Sequence, residues 1–302
     1  MDAAAACTLL NAAGFPARPE TVRVEPREDR WAAWLPGGRM AWFPMNPAGA
    51  RRLGTERRVL DLLAARCTFR VPRVLHTARA GWQVRDMVPG ACDPWGLYRR
   101  LRADHALARR IGWALGGLLA EQHGRVLPQD MEGWLPMRPP WPEPVEQLKE
   151  ALPRVVADAG LLRATRRVLQ RYETEVVIKA SDRVLVHGDL GLHNIALVPD
   201  TDVVAGVFDY DGASWADRHQ DFRYLLFNDG AEEGVLDAAL EAYEPAIGTR
   251  LDRGRIRLCN TACALGFLAH RSGMPPEARP CGRTLAEDLA WVGNALRGLE
   301  LG

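Results

Sequence analysis

Three oxygen-bearing side chains at short intervals dominate what this chain could do chemically. The stretch Val186-His187-Gly188-Asp189-Leu190-Gly191-Leu192-His193-Asn194-Ile195 is followed, on strand-like sequence, by Gly206-Val207-Phe208-Asp209-Tyr210-Asp211. Phosphoryl transfer asks little covalent work of a protein and much electrostatic positioning. It needs a carboxylate beside the acceptor hydroxyl and oxygen ligands for a Mg2+ ion that bridges nucleotide phosphates. Asp189 supplies the first. Asn194, five residues on, and Asp209, at the end of an apolar strand, supply the second. His187 is expected to brace the loop, because Asp189 already fills the base position.

The Asp-to-Asn spacing equals that of the protein-kinase catalytic loop, with Gly188 in place of arginine. Together, His187-Gly188-Asp189, Asn194 and Phe208-Asp209-Tyr210-Asp211 resemble the aminoglycoside phosphotransferase family, a branch of the kinase-like fold. Similarity continues along most of the chain. Glu56, with Val71–Leu75 downstream, resembles the helix glutamate of the small lobe and the strand after it. Val88-Pro89-Gly90 resembles the exit from the hinge, Leu118–His123 a helix ending in Leu-His, and Asp217–Leu225 the helix start after the metal aspartate. Arg39–Leu75 is distantly similar to viomycin phosphotransferase, and the region after Asp209 to aminoglycoside and macrolide kinases.

The resemblance implies a two-lobed, protein-kinase-like α+β fold using Mg2+ with ATP or GTP. It implies nucleotide contacts at Glu56, Asp86 and Val88, metal ligation by Asn194 and Asp209, and support of the catalytic loop by His187 and Asp221. The partner implied is a small molecule, expected to be cationic and met by Asp211 and the acidic turn Asp229, Glu232 and Glu233. Those last three acids equally suit a helix start, where they favour the N-terminal dipole.

The elements that must position these groups fall into two blocks. Thr21–Pro26, Trp31–Leu35 and Arg39–Met45 read as strands, the last two joined by Pro36-Gly37-Gly38. Asn46-Pro47 opens a helix to about Arg66, and strand-like runs follow at Arg73–Thr77 and Gly81–Met87. Beyond Pro89-Gly90 helical patterns prevail, interrupted by the β-rich island Val184–Phe208. Strands first and helices after give an α+β plan, with a small lobe over 1–88 and a helical lobe over 89–302.

One part of the kinase pattern is missing. Kinases of this fold hold the α- and β-phosphates with a lysine on the third strand, paired to the helix glutamate. The only lysines here are Lys149 and Lys179, and Arg27-Glu28-Asp29-Arg30 stands where a glycine-rich loop is expected. Arginine is the expected substitute, from Arg39, Arg51 or Arg52. Arg39, at the start of the third strand, is the first choice, although alternation can turn it outward.

Two function classes follow. One is an active kinase phosphorylating a hydroxyl of an aminoglycoside-like or other cationic antibiotic, a macrolide, or a metabolite of the choline or homoserine type. The other is a nucleotide- or ligand-binding pseudokinase without the lysine. Intact Asp189, Asn194 and Asp209 favour the enzyme. A net charge of +1 gives no field that would draw nucleic acid or a membrane surface. The six cysteines form no C-x-x-C pair, Met1–Leu10 lacks a leader's basic start, and a reducing cytoplasm is the expected setting, as monomer or homodimer.

Overall fold

The short β-branched and aromatic runs of the first ninety residues do form strands, in a computed structural model that describes residues 1–139, 143–175, 178–226 and 233–300. For Glu175, Glu233, Cys281 and Glu300 it describes the backbone alone. The chain divides into two compact units. The first comprises Met1–Pro94, Gly124–Leu135 and Leu192–Ala213; the second comprises Trp95–His123, Pro136–Gly191 and Ser214–Gly302.

In the first unit, β1 (Arg23–Arg27), β2 (Arg30–Leu35), β3 (Arg39–Pro44), β4 (Arg73–Thr77) and β5 (Gln83–Asp86) form one antiparallel sheet in the order β1-β2-β3-β5-β4. Strand alternation sorts its side chains onto two faces. Ala33, Ala41, Phe43 and Val84 pack on Ala6, Cys7 and Leu10 of α1 (Ala3–Ala12), a helix the sequence reading did not anticipate. Asp2 caps it, accepting from the Ala5 backbone N–H at 2.8 Å. The other face meets α2 (Pro47–Arg66), where Gln83 Nε2 donates to the Leu53 carbonyl at 3.1 Å. Asn46 caps α2 with Pro47 at its first position, as the Asn-Pro pair predicts.

The unit extends past residue 88 because the chain beyond β5 keeps pairing. Ala91 and Leu197 exchange backbone hydrogen bonds of 2.8 and 2.9 Å, and Arg70 accepts from the Val207 N–H at 3.0 Å. These contacts gather the hairpin β7 (Ile195–Leu197) and β8 (Val204–Val207) into the first unit. Gly206 is required there, since a Cβ would overlap the Arg70 carbonyl oxygen.

The second unit holds a two-stranded ribbon, β6 (Arg183–Val186) with β9 (Ser214–Asp217), amid helices. In chain order the helices are α3 (Pro94–Ala103), α4 (His105–Arg125), α5 (Pro128–Met131, in the first unit), α6 (Val145–Ala151), α7 (Ala159–Glu175), α8 (Glu233–Ile247), α9 (Arg253–His270) and α10 (Leu285–Glu300). Leu148, Leu152, Leu169, Leu265, Leu268 and Val292 anchor the core of α6, α7, α9 and α10. Gly112 and Gly116, one turn apart on α4, lie against the backbone carbonyls of Val235 and Ala239 on α8. Gly116→Ala is therefore expected to destabilise the protein by about 1–3 kcal/mol in urea denaturation, through overpacking. Gly117→Ala, where a Cβ meets nothing within 4 Å, should instead gain a few tenths of a kcal/mol or more from helix propensity. Equal effects at the two positions would dismiss the close seam.

Candidate active site

The Asp189 loop belongs to the second unit and grows out of β6. Val184, Leu185 and Val186 are buried and fix the strand; the chain then turns at Gly188, whose φ of +84° favours glycine. The turn is held from behind by Asp221, fully buried on the 3₁₀ segment Arg218–Leu225. Its carboxylate accepts from the backbone N–H of His187 at 2.8 Å and of Gly188 at 3.0 Å. His123 Nε2 lies 3.2 Å from the same carboxylate, and Gln122 Nε2 reaches it at 3.5 Å. With Asp221 ionised, Nε2 carries the His123 proton, and Nδ1 accepts from the Tyr243 hydroxyl at 2.9 Å. His187, wholly buried, accepts the Asp189 N–H on Nδ1 at 3.2 Å, and Arg223 donates to the Gly188 carbonyl.

Burial alone would raise the Asp221 carboxyl, but the hydrogen bond from His123 and that from the Gly188 N–H hold it below the ordinary aspartate range. Burial lowers His123, so its imidazole is neutral at pH 7. Asp189 itself is half-buried at the tip of this rigid turn.

Asn194 and Asp209 belong to the first unit, at adjoining ends of the β7–β8 hairpin. The Phe208 N–H donates to the Asn194 carbonyl at 3.0 Å, one step beyond the Ile195–Val207 pair. Asn194 is buried; Asp209 is exposed in the left-handed region, with φ +67° and ψ +56°. A non-glycine residue in that conformation is the kind of local strain that active sites store. An amide oxygen and a carboxylate are hard donors, and two protein ligands supplemented by phosphates and water suit Mg2+. Among the described residues no cluster of three or more His, Cys, Asp or Glu forms an all-protein metal cage. Two oxygen donors of this kind fit a magnesium ion whose other ligands come from outside the protein.

The missing lysine has a structural counterpart elsewhere. Glu56 of α2, 4% exposed, accepts Arg85 Nη1 of β5 at 2.8 Å and lies 3.8 Å from Arg30 Nη1 of β2. Arg39, the residue chosen from sequence, stands apart from Glu56: its half-exposed guanidinium is 3.4 Å from Asp86. Alternation explains this, because Arg39 shares a face with Ala41 and Phe43, away from α2. The lysine's place on the α2 face is held by Met40 and Trp42, and the Arg30 guanidinium lies 5.1 Å from the Trp42 ring. Asp86 is thus a partner of Arg39, and Val88 is buried beside Gly206.

The carboxylates assigned to a cationic substrate fare differently. Asp211 is already engaged: Arg30 Nη2 reaches it at 2.5 Å, and Arg52 grips it with Nε at 3.0 Å and with Nη2. Burial would raise its carboxyl, yet these two arginines hold it low. A carboxylate neutralised in this way is no open site for a drug amine. Asp229 and Glu232 lie outside the described residues, as does the side chain of Glu233. A carboxylate the sequence reading missed is Glu143. It lines a cavity of about 560 Å³ in the second unit, with Gln147 and Leu148 of α6 and Phe267 and His270 of α9. Its flanking prolines, Pro142 and Pro144, gave only a surface signal. Burial pushes its carboxyl up, against the fields of Arg223 and Arg138.

With this geometry in hand, comparison with known proteins is decisive for the family. The model of the phosphotransferase enzyme family matches residues 43–259. The chain belongs to that family. Streptomycin 3''-kinase of Streptomyces griseus is 43% identical over 86 residues, a stretch that covers 28% of this chain and 28% of that enzyme. The chain thus aligns with little more than a quarter of that relative's length. Among solved structures, the GDP complex of wild-type aminoglycoside 2'-phosphotransferase-IIIa superposes with a TM-score of 0.70 at 18% identity, over 100% of this chain and 98% of that one. The apoenzyme of a macrolide 2'-phosphotransferase from Brachybacterium faecium gives a TM-score of 0.63 at 21% identity, over 91% and 99%. The fold of this family member is accordingly kinase-like. No helix among the described residues is long and apolar enough to cross a membrane.

Proposed function

We propose that the protein transfers the γ-phosphate of ATP or GTP to a hydroxyl of a cationic small molecule of the aminoglycoside kind. The observation that supports this most is the Asp221-held turn, which keeps Asp189 half-exposed at its tip while the N–H groups of His187, Gly188 and Asp189 are all bonded. Such a rigid carboxylate can orient an acceptor hydroxyl and take its proton late in transfer. Asn194 and Asp209 would hold Mg2+, which when bound neutralises charge on the phosphates. Kinship with a streptomycin kinase supports an aminoglycoside-like acceptor. Glu143 offers a carboxylate to its amines in the second unit.

The donor and metal parts are tested by calorimetry. Asp209→Ala should abolish the magnesium-dependent part of nucleotide affinity, and a chelator should do the same to the unmodified protein. Nucleotide affinity indifferent to both would remove Asp209 from the metal site. A panel of aminoglycosides, macrolides and amino-alcohols, scored by nucleotide turnover, tests the acceptor. Nucleotide binding with no turnover on any hydroxyl compound would favour the pseudokinase, which the absent strand lysine keeps in view.

A further inference from the structure

Glu56 is flanked by two guanidinium groups, and they are not equivalent. Arg85 is held at all three nitrogens: Nη1 is on Glu56 at 2.8 Å, and Nε and Nη2 are on Gln83 Oε1 at 3.3 and 2.9 Å. Gln83 is in turn fixed to the Leu53 carbonyl of α2. Arg85 is therefore a clamp that fastens the helix glutamate to the sheet. Arg30 is under-satisfied. Its Nη1 stands 3.8 Å from Glu56, beyond hydrogen-bond reach, and its buried Nε has no hydrogen-bond acceptor, with Asp29 at 3.4 Å. Its one short bond, from Nη2, goes to Asp211, two residues past Asp209.

Arg30 thus spans from the helix glutamate to the loop that carries the candidate metal ligand, all within the first unit. A cation that steadies nucleotide phosphates beside a metal must reach the same loop. It must lie on the α2 face of the sheet, and it must keep donors to spare. Arg30 meets each condition; Arg39 is on the wrong face, and Arg85 is tied at every nitrogen to Glu56 and Gln83 rather than to the Asp211 loop. We infer that Arg30 on β2 is the phosphate-anchoring cation in place of the absent lysine, and that Asp211 is its stand-in anion, displaced when nucleotide phosphates bind. Arg52, which also grips Asp211, is released by the same exchange.

This inference rests on the nucleotide-dependent function above, and its test separates the two. Calorimetry with ATP and with GTP, each against its bare nucleoside, is run on the unmodified protein, Arg30→Gln and Asp211→Asn, after thermal melts confirm folding. Arg30→Gln should weaken triphosphate binding about 10–100-fold and leave nucleoside binding unchanged, the loss of one charge-assisted contact. Asp211→Asn, which removes the competing anion, should strengthen triphosphate binding several-fold. This second variant keeps the test sharp even if glutamine at the buried position 30 prevents folding. Triphosphate affinity that is unmoved in a folded Arg30→Gln protein, or unmoved or weakened in Asp211→Asn, overturns the inference alone. An unmodified protein that binds neither triphosphate overturns the proposed function and this inference with it.

Discussion

Asp189→Asn is expected to lower turnover by about 10²–10⁴-fold, the usual worth of a general base, while nucleotide affinity holds. The amide keeps the shape of the carboxylate, so the turn built by Gly188 and the Asp221 hydrogen bonds should survive. What it loses is the capacity to accept the hydroxyl proton. The effect should therefore fall on kcat, with KM for the acceptor changed little. Steady-state kinetics on the best substrate from the panel, with calorimetry for nucleotide, checks both halves. Turnover near the original rate would end the kinase assignment.

Asp221→Ala should cost about 3–5 kcal/mol in chemical denaturation and lower activity with it, although Asp221 itself need touch no substrate. The substitution strips the anion from the His187 and Gly188 N–H groups, from Gln122 and from His123 in a fully buried place. Each orphaned donor then pays its desolvation in full. pH sharpens the expectation. The folded Asp221 carboxyl lies low, so its stabilisation is complete above the unfolded value of about 3.9 and fades as pH falls through the folded value. His123 acts higher: buried and neutral in the fold, it gains a proton on unfolding below about pH 6.5, so stability drops as pH falls from there. Denaturation midpoints that stay flat from pH 7 to 5 would show that His123 is not held neutral.

The Asp189, Asn194 and Asp209 spacing was legible because it is local: a turn and a hairpin end carry it, and short-range sequence encodes both. Asn46-Pro47 fixed the start of α2 for the same reason. Arg30 and Arg85 were not legible. Their meeting at Glu56 depends on which face each strand presents and on the order β2-β3-β5, and neither is written in any one segment. Alternation did hold a hint: Arg30 stands two residues before Ala32, which is wholly buried outside the α1 core, whereas Arg39 stands two before Ala41, which is inside it. Helix α1 was missed because it is rich in alanine and buried only at Ala6, Cys7 and Leu10, which gives a weak periodic signal.

A sheet that carries guanidinium groups and no lysine also changes how the protein meets electrophiles. No primary side-chain amine occurs ahead of Lys149, and in the structure Lys149 ties to Glu146 and Glu173 on the outer surface of the second unit. Nucleotide analogues armed with acylating or sulfonylating groups, which mark kinases by capturing the strand lysine, have no amine to capture on this sheet. A mixed population of kinases treated with such a reagent would be labelled around this protein, leaving it as the unmarked member.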